Sequence, residues 1–283
     1  MGGSSGLGRG TALALAKMNP KSIVIASRNE TKAQLVIDEM NAIHPEGIYS
    51  FQKVDLTRIQ DIHRFATVFK SSQDSLNGLV LTAGIMTLDG RQETEEGVDR
   101  EMATHYYGRL ALIQELMPLL VKSAENSNPL STRVVTVLAG AGGGWIVKDD
   151  LALKNHYSFL RARLVAAAYN DMMVKKLADL YPKIMFNHIF PGLVDTPLVN
   201  GLPFPIPQLA GIFAPLLMKK ATDVGEMVAY TCTSNDYTRN SNLVGESGQI
   251  LKDPSYITPE MTDVVWNHGL KTVREALVEN IEK

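Results

Sequence analysis

Residues 1–20, MGGSSGLGRGTALALAKMNP, decide the fold. Gly2, Gly6 and Gly8 are spaced GxxxGxG, and the turn they form runs straight into an apolar stretch that predicts a helix over 6–18. Glycine permits the backbone angles of a tight turn and, lacking Cβ, lets main-chain N–H groups and a helix N-terminus come close to a phosphate. In a parallel α/β protein such a turn hangs from the end of a β-strand, and here no strand precedes it.

Outward from the turn, short β-branched runs alternate with longer helical stretches, which is the mark of a parallel sheet wrapped by crossover helices. Strands are predicted at 22–27, 47–56, 78–84, 132–140 and 184–192, with a last one near 247–253. Helices are predicted at 30–43, 57–71, 95–123, 158–181, 221–233 and 259–280. There are no repeats or linkers, so the chain reads as one α/β domain over 1–283. The proline-rich stretch within 196–220 interrupts the alternation, since proline at that density continues neither helix nor sheet, and it reads as a loop or lid over a substrate pocket.

Composition narrows the partner. The 283 residues are 45% hydrophobic and 20% charged with a formal net charge of −2. No long basic run points to nucleic acid or to an anionic membrane surface. The longest apolar runs, 110–121 and 206–218, are shorter than the ~20 residues that span a bilayer. Cys232 is the only cysteine, and the N-terminus lacks a basic flank followed by a signal-like apolar stretch. A cytoplasmic protein with a small-molecule partner is expected, and a homo-oligomer is compatible with that reading.

The strand predicted at 22–27 runs out into ASRNETK, residues 26–32. An acidic residue at such a place would bond a ribose 2′-hydroxyl, whereas Arg28 offers a cation to a 2′-phosphate, so NADP(H) is expected over NAD(H).

With these motifs in order, the chain resembles the short-chain dehydrogenase/reductase family along nearly its whole length. Within it, the chain looks most like the divergent branch common in fungal secondary metabolism. Residues Gly2, Gly3, Ser4, Ser5, Gly6, Leu7 and Gly8 resemble the family's TGxxxGxG loop, with Met1 in place of its threonine. VDLT (54–57) carries Asp55 and Leu56, which the resemblance places at the adenine. LTAG (81–84) stands where the family has NNAG, keeping Ala83 and Gly84 and losing both asparagines. PGLVDTP (191–197) supplies Pro191 and Gly192, with Val194 and Thr196 flanking the nicotinamide carboxamide. The resemblance implies a Rossmann-like, doubly wound parallel sheet of order 3-2-1-4-5-6-7, in which strand 1 is absent from this chain.

Family chemistry uses a Tyr that exchanges a proton with the substrate oxygen, a Lys four residues later, a Ser and an Asn. The spacing has a reason: residues i and i+4 share a helix face, so an ammonium can favour the ionised phenol. Here the Ser position in VTVLAGAGGG (135–144) holds Ala139, and the Asn position in THYYGRL (104–110) holds His105. The only YxxxK, Tyr49 to Lys53, lies in a predicted strand, where four residues span ~13 Å. The nearest candidate in the right region is Tyr157 with Arg161, in YSFLR. Family members have about 30 residues between this Tyr and the Pro of the PG motif, whereas Tyr157 lies 34 before Pro191. An ungapped count lands instead on Arg161, with Val165 in the Lys position.

Two readings stay open. One is an NADP(H)-dependent oxidoreductase that interconverts a carbonyl and an alcohol on an apolar small molecule, with Tyr157, Arg161 and His105 as an altered relay. The other is a cofactor-binding protein without turnover, or one reused for isomerisation or cyclisation. The opening adds one expectation: the chain starts late, at a Met that displaced the central strand. Two ladders would then lose a partner at ~1–3 kcal/mol for each buried unpaired group, and NADPH binding would be weak.

Overall fold

The computed structural model describes residues 1–198, 203, 208 and 217–278. Strands β1 (Ser22–Ser27), β2 (Ile48–Lys53), β3 (Gly78–Leu81), β4 (Arg133–Val137), β5 (Met185–Ile189) and β8 (Ser241–Val244) are parallel, and the pair β6 (Val194–Asp195) and β7 (Lys219–Lys220) brackets the proline-rich stretch. Helices α1 (Gly6–Ala16), α2 (Glu30–Ile43) and α3 (Ile59–Ser72) alternate with the first strands. A short α4 (Arg100–Met102), a π-turn at Ala103–Tyr107 and α5 (Gly108–Glu125) run on one after another. Then come α6 (Phe159–Leu180), α7 (Ala221–Thr233) and α8 (Pro259–Val278).

The ladders fall in the orders β1-β2 and β3-β4-β5-β8. Placed side by side these give β2-β1 followed by β3-β4-β5-β8, the doubly wound order with no central strand between β1 and β3 among the described residues. β1 and β3 do not pair with each other. Between them lie the first two residues: the Met1 amino group donates to the Val80 carbonyl at 2.7 Å, the Thr82 amide donates to the Met1 carbonyl at 3.0 Å, and the Gly2 amide donates to the Ala26 carbonyl at 2.9 Å. A seam thus divides the sheet, stitched at the end where the glycine turn begins.

Apolar packing follows the two faces. The main core joins α3, α5, α6 and α8 over one face, with Tyr106 at its centre, 5.0 Å from the Tyr169 ring and donating to the Val265 carbonyl at 3.2 Å. On the other side α1 and α2 close over β1, and α7 covers β4 and β5. Helices α1 and α7 cross at glycines: a Cβ on Gly225 would stand 2.4 Å from the Gly10 carbonyl carbon. Backbones that close exclude any side chain at the crossing.

Four strands end three residues before the sequence reading has them, at Lys53, Leu81, Val137 and Ile189, and two further boundaries differ for local reasons. The final strand is Ser241–Val244 instead of 247–253, because Gly248, at φ +81°, closes a tight turn on Gly245 and sends Ile250 back antiparallel to a single bridge with Val244. The helix expected from 95 begins at Arg100, because Asp99 bridges to Glu93 and its carboxylate accepts from the Met102 amide at 2.9 Å, an N-cap. Most of the loop expected at 196–220 lies outside the described residues. Among the described residues, no helix is long and apolar enough to cross a membrane.

Candidate functional site

A cleft of about 970 Å³ opens along the strand ends and straddles the seam. One wall is the glycine turn. Gly2 (φ +81°) and Gly6 (φ +50°) take left-handed backbone angles, and a Cβ on Gly8 would lie 2.2 Å from the Gly2 carbonyl oxygen. The turn can therefore be closed by little other than glycine. Ser5 is the N-cap of α1, but its side chain accepts no capping hydrogen bond, and the first turn carries no acidic residue. The N–H groups of that turn are left to an anion from outside, and the helix dipole favours one. Thr196 packs against Gly6, so the PG segment forms the opposite lip.

The cradle fits a dinucleotide. Ser4, Ser5, Gly6, Leu7 and Gly8 line the cleft with Asp55, Leu56, Ala83, Gly84, Pro191, Gly192, Val194 and Thr196. Gly2 lines it as well, whereas Gly3 is held in the turn behind, facing Ile25. Arg28 is exposed on the lining and forms no ion pair among the described residues. Lys32, in the first turn of α2, lines the same end, a second cation that the sequence reading missed. The Asp55 carboxylate accepts from the Thr57 amide and hydroxyl, both at 2.9 Å, which fixes the turn after β2.

The inner end is built differently from the expected relay. Tyr157 precedes the Ser158 N-cap of α6, so it is not one helical turn from Arg161, and neither residue lines the cleft. Arg161 donates to the His156 carbonyl at 3.1 Å. Burial, with Asp99 and Glu101 nearby, pushes the Tyr157 phenol above its ordinary value, the reverse of an activated phenol. The cation that reaches the cleft from α6 is Arg163. It lies over the Phe159 ring at 5.0 Å and donates to the Ile85 carbonyl and to Glu101 Oε2, both at 3.2 Å. Phe159 and Arg163 keep the i, i+4 spacing of a ring and a cation on one helix face, without a hydroxyl.

His105 does line the cleft, in the π-turn, and is 1% exposed. Its Nε2 accepts from the Ile85 amide at 3.2 Å, which assigns the ring proton to Nδ1, and Nδ1 stands 3.7 Å from Glu101 Oε2 without a hydrogen-bond partner. Desolvation, then the charges of Arg163 and Arg109, hold its pKa well below the imidazole value. Arg109, 1% exposed, donates to the Ala83 carbonyl at 2.8 Å and to Thr136 Oγ1. The Thr136 hydroxyl passes to Asn170 Oδ1 at 3.0 Å, and Asn170 Nδ2 donates to the His105 carbonyl at 2.7 Å. That carbonyl sits in the π-turn, where the ordinary i→i−4 ladder is broken. Ala139, in the serine position, gives its amide to His188 Nε2 at 3.3 Å, and His188 Nδ1 bonds Asp171 at 2.6 Å.

Arg109, Arg163 and Asn170 escaped the sequence reading. Each is a polar group set in an apolar helical run, at GRLALIQ, RARLVAAA and AAAYND. Such a residue is the mark of a buried partner, and that was the available signal.

Comparison with known proteins agrees with this architecture. Residues 1–147 match the short chain dehydrogenase family. An oxidoreductase of Emericella nidulans is 32% identical over 230 residues, covering 80% of this chain and 67% of that protein. Another, from Emericella variicolor, is 33% identical over 84% of this chain and 69% of its own length. Among solved structures, a Mycobacterium paratuberculosis protein superposes with a TM-score of 0.68 at 20% identity over 96% of this chain and 90% of its own. The Pseudomonas aeruginosa RhlG/NADP active-site complex gives 0.62 at 20% identity over 85% and 90%. With a family match over half the chain, a relative above 30% identity and the doubly wound sheet, the chain belongs to the short-chain dehydrogenase/reductase family of oxidoreductases.

Proposed function

We propose that the protein binds NADP(H) and interconverts a carbonyl and an alcohol on an apolar small molecule, in the secondary metabolism to which its fungal similarities point. The observation that carries the cofactor choice is the pair Arg28 and Lys32 at one end of the cleft, with no ion pair to either side chain among the described residues. Two cations at that place suit a phosphate monoester, which charge-assisted bonds hold at about twice the strength of neutral ones. The glycine-turn amides and the α1 N-terminus hold the diphosphate, Asp55 and Leu56 border the adenine, and Val194 and Thr196 border the nicotinamide end. When bound, the cofactor supplies the hydride. His105 holds the Gly84–Ile85 backbone that walls the nicotinamide half, through the Ile85 amide; it acts as a positioning residue in place of the relay role expected from sequence.

A second reading has its own support: Ala139 brings no hydroxyl, and no tyrosine is among the residues lining the cleft. On that reading the fold binds cofactor while turnover is lost, or the cleft is reused for isomerisation or cyclisation. NADPH fluorescence titration followed by turnover against a panel of apolar ketones divides the two. Tight NADPH binding with turnover supports the reductase, and tight binding with no turnover on any ketone supports the second reading.

A further inference from the structure

We propose that the inner end of the cleft is a carboxylate site, in which Arg163 binds the anionic group of an otherwise apolar substrate. The inference deepens the reductase reading and rests on it for the placement of the cofactor at the other end. Its basis is charge. Three guanidinium groups, Arg100, Arg109 and Arg163, line this end, against one lining carboxylate, Asp89, whose Oδ2 already accepts from the Thr87 hydroxyl. Glu101 stands behind the lining, 2% exposed, and pairs with Arg163. Asp99 is not a lining residue, and its carboxylate accepts from the Met102 and Gln92 amides. His105 is neutral, so three cations on this part of the lining face one carboxylate, and the balancing carboxylates Glu101 and Asp99 stand buried behind the lining.

Of these cations Arg109 is the buried one, 1% exposed. Arg109 forms no ion pair among the described residues, and its two bonds go to neutral oxygens. Its Nε is buried without a partner, as is His105 Nδ1. A buried cation without a counter-charge is costly, and an anion entering the cleft would relieve that cost. Arg163 is the group placed to meet it. Its side chain is 19% exposed, fixed from behind by Ile85 and Glu101 and from below by the Phe159 ring, with donors of its planar fork left over. A preorganised guanidinium with its edge in a cleft matches a carboxylate. Around the same cleft Met86, Leu138, Leu193 and Leu198 offer an apolar lining for the rest of the molecule.

The test uses octanoate and octanamide, which share an apolar body and differ in charge, titrated calorimetrically into the full chain with and without saturating NADPH. Octanoate should bind with a Kd in the millimolar range or below and at least about tenfold more tightly than octanamide, in both conditions. Arg163→Gln should abolish that preference and Arg163→Lys keep part of it. If Arg163→Gln alone does not fold, because Glu101 is left buried and unpaired, the paired variant Glu101→Gln/Arg163→Gln tests the same point. Equal binding of the two probes, undetectable octanoate binding, an unchanged preference in the Gln variants, or displacement of octanoate by NADPH would each overturn the proposal; displacement would mean that the acid enters the phosphate cradle instead. Failure of NADPH to bind would overturn the cofactor reading alone, because the titrations without NADPH still decide the carboxylate site.

Discussion

Single side chains carry the sharpest expectations. Arg28→Asp should weaken NADPH much more than NADH, by ~1.5–3 kcal/mol for a lost charge-assisted contact, and comparative fluorescence titration of the two cofactors reads the difference. Equal losses would remove Arg28 from the phosphate. Tyr157→Phe should leave ketone turnover within about twofold, because the phenol is off the cleft lining and held neutral; a loss of ~10²-fold, the scale of a removed general acid, would restore it to the relay. His105 gives a pH signature. Its native pKa lies below that of the unfolded chain, about 6.5, so below that pH the unfolded state takes up a proton that the native state refuses. Its stabilising contribution is complete above ~6.5 and declines as pH falls, at up to ~1.4 kcal/mol per unit. Urea unfolding at pH 5 and 7 should show a smaller pH difference for His105→Gln than for the wild type, and identical differences would refute this account.

At the level of elements, two glycine positions test how closely backbones approach. Gly8→Ala drives a methyl group into the Gly2 carbonyl and should cost at least tenfold in NADPH affinity along with stability. Gly225→Ala forces α7 off α1 at Gly10 and should lower stability by ~1–3 kcal/mol, read as a depressed Tm, while the cleft itself is untouched. The elements themselves are largely legible in the sequence. SIVIAS, ETKAQLVIDEMNAI and ATDVGEMVAYTCT fold over the spans their patterns predict, because period and caps are local properties. The glycine turn into α1 is legible for the same reason. The inner site is not. Which of two arginines on the first turns of α6 faces the cleft depends on where the helix starts. The Ser158 cap starts the helix at Phe159, two residues after Tyr157, so Arg163 reaches the cleft and Arg161 stays outside it. A shift of two residues turns a helix by about 200°, and boundaries are the least legible part of any sequence. The π-turn at Ala103–Tyr107 is equally hidden, since its stabilising bond comes from Asn170, 65 residues away.

Across the whole molecule, the seam between β1 and β3 sets the order of loosening. The β1-β2 ladder should exchange its amide hydrogens sooner than β4 and β5, which are paired on both sides, and native-state hydrogen exchange will show whether it does. Uniform protection across all six strands would mean that packing by α1 and α2 makes the division irrelevant. The cleft crosses that division: Ser27 and Arg28 stand at the end of β1 on one side, and Ala83 and Gly84, just past β3, with Val137 at the end of β4, on the other. A dinucleotide lying in it would touch both halves and act as a removable cross-tie, so that opening the seam and releasing the cofactor become one coupled equilibrium. By linkage, whatever free energy NADPH adds to the closure of the two halves, closure returns to NADPH affinity, and a substitution far from every phosphate that loosens Met1 or Gly2 from its neighbours would appear in a titration as weaker binding.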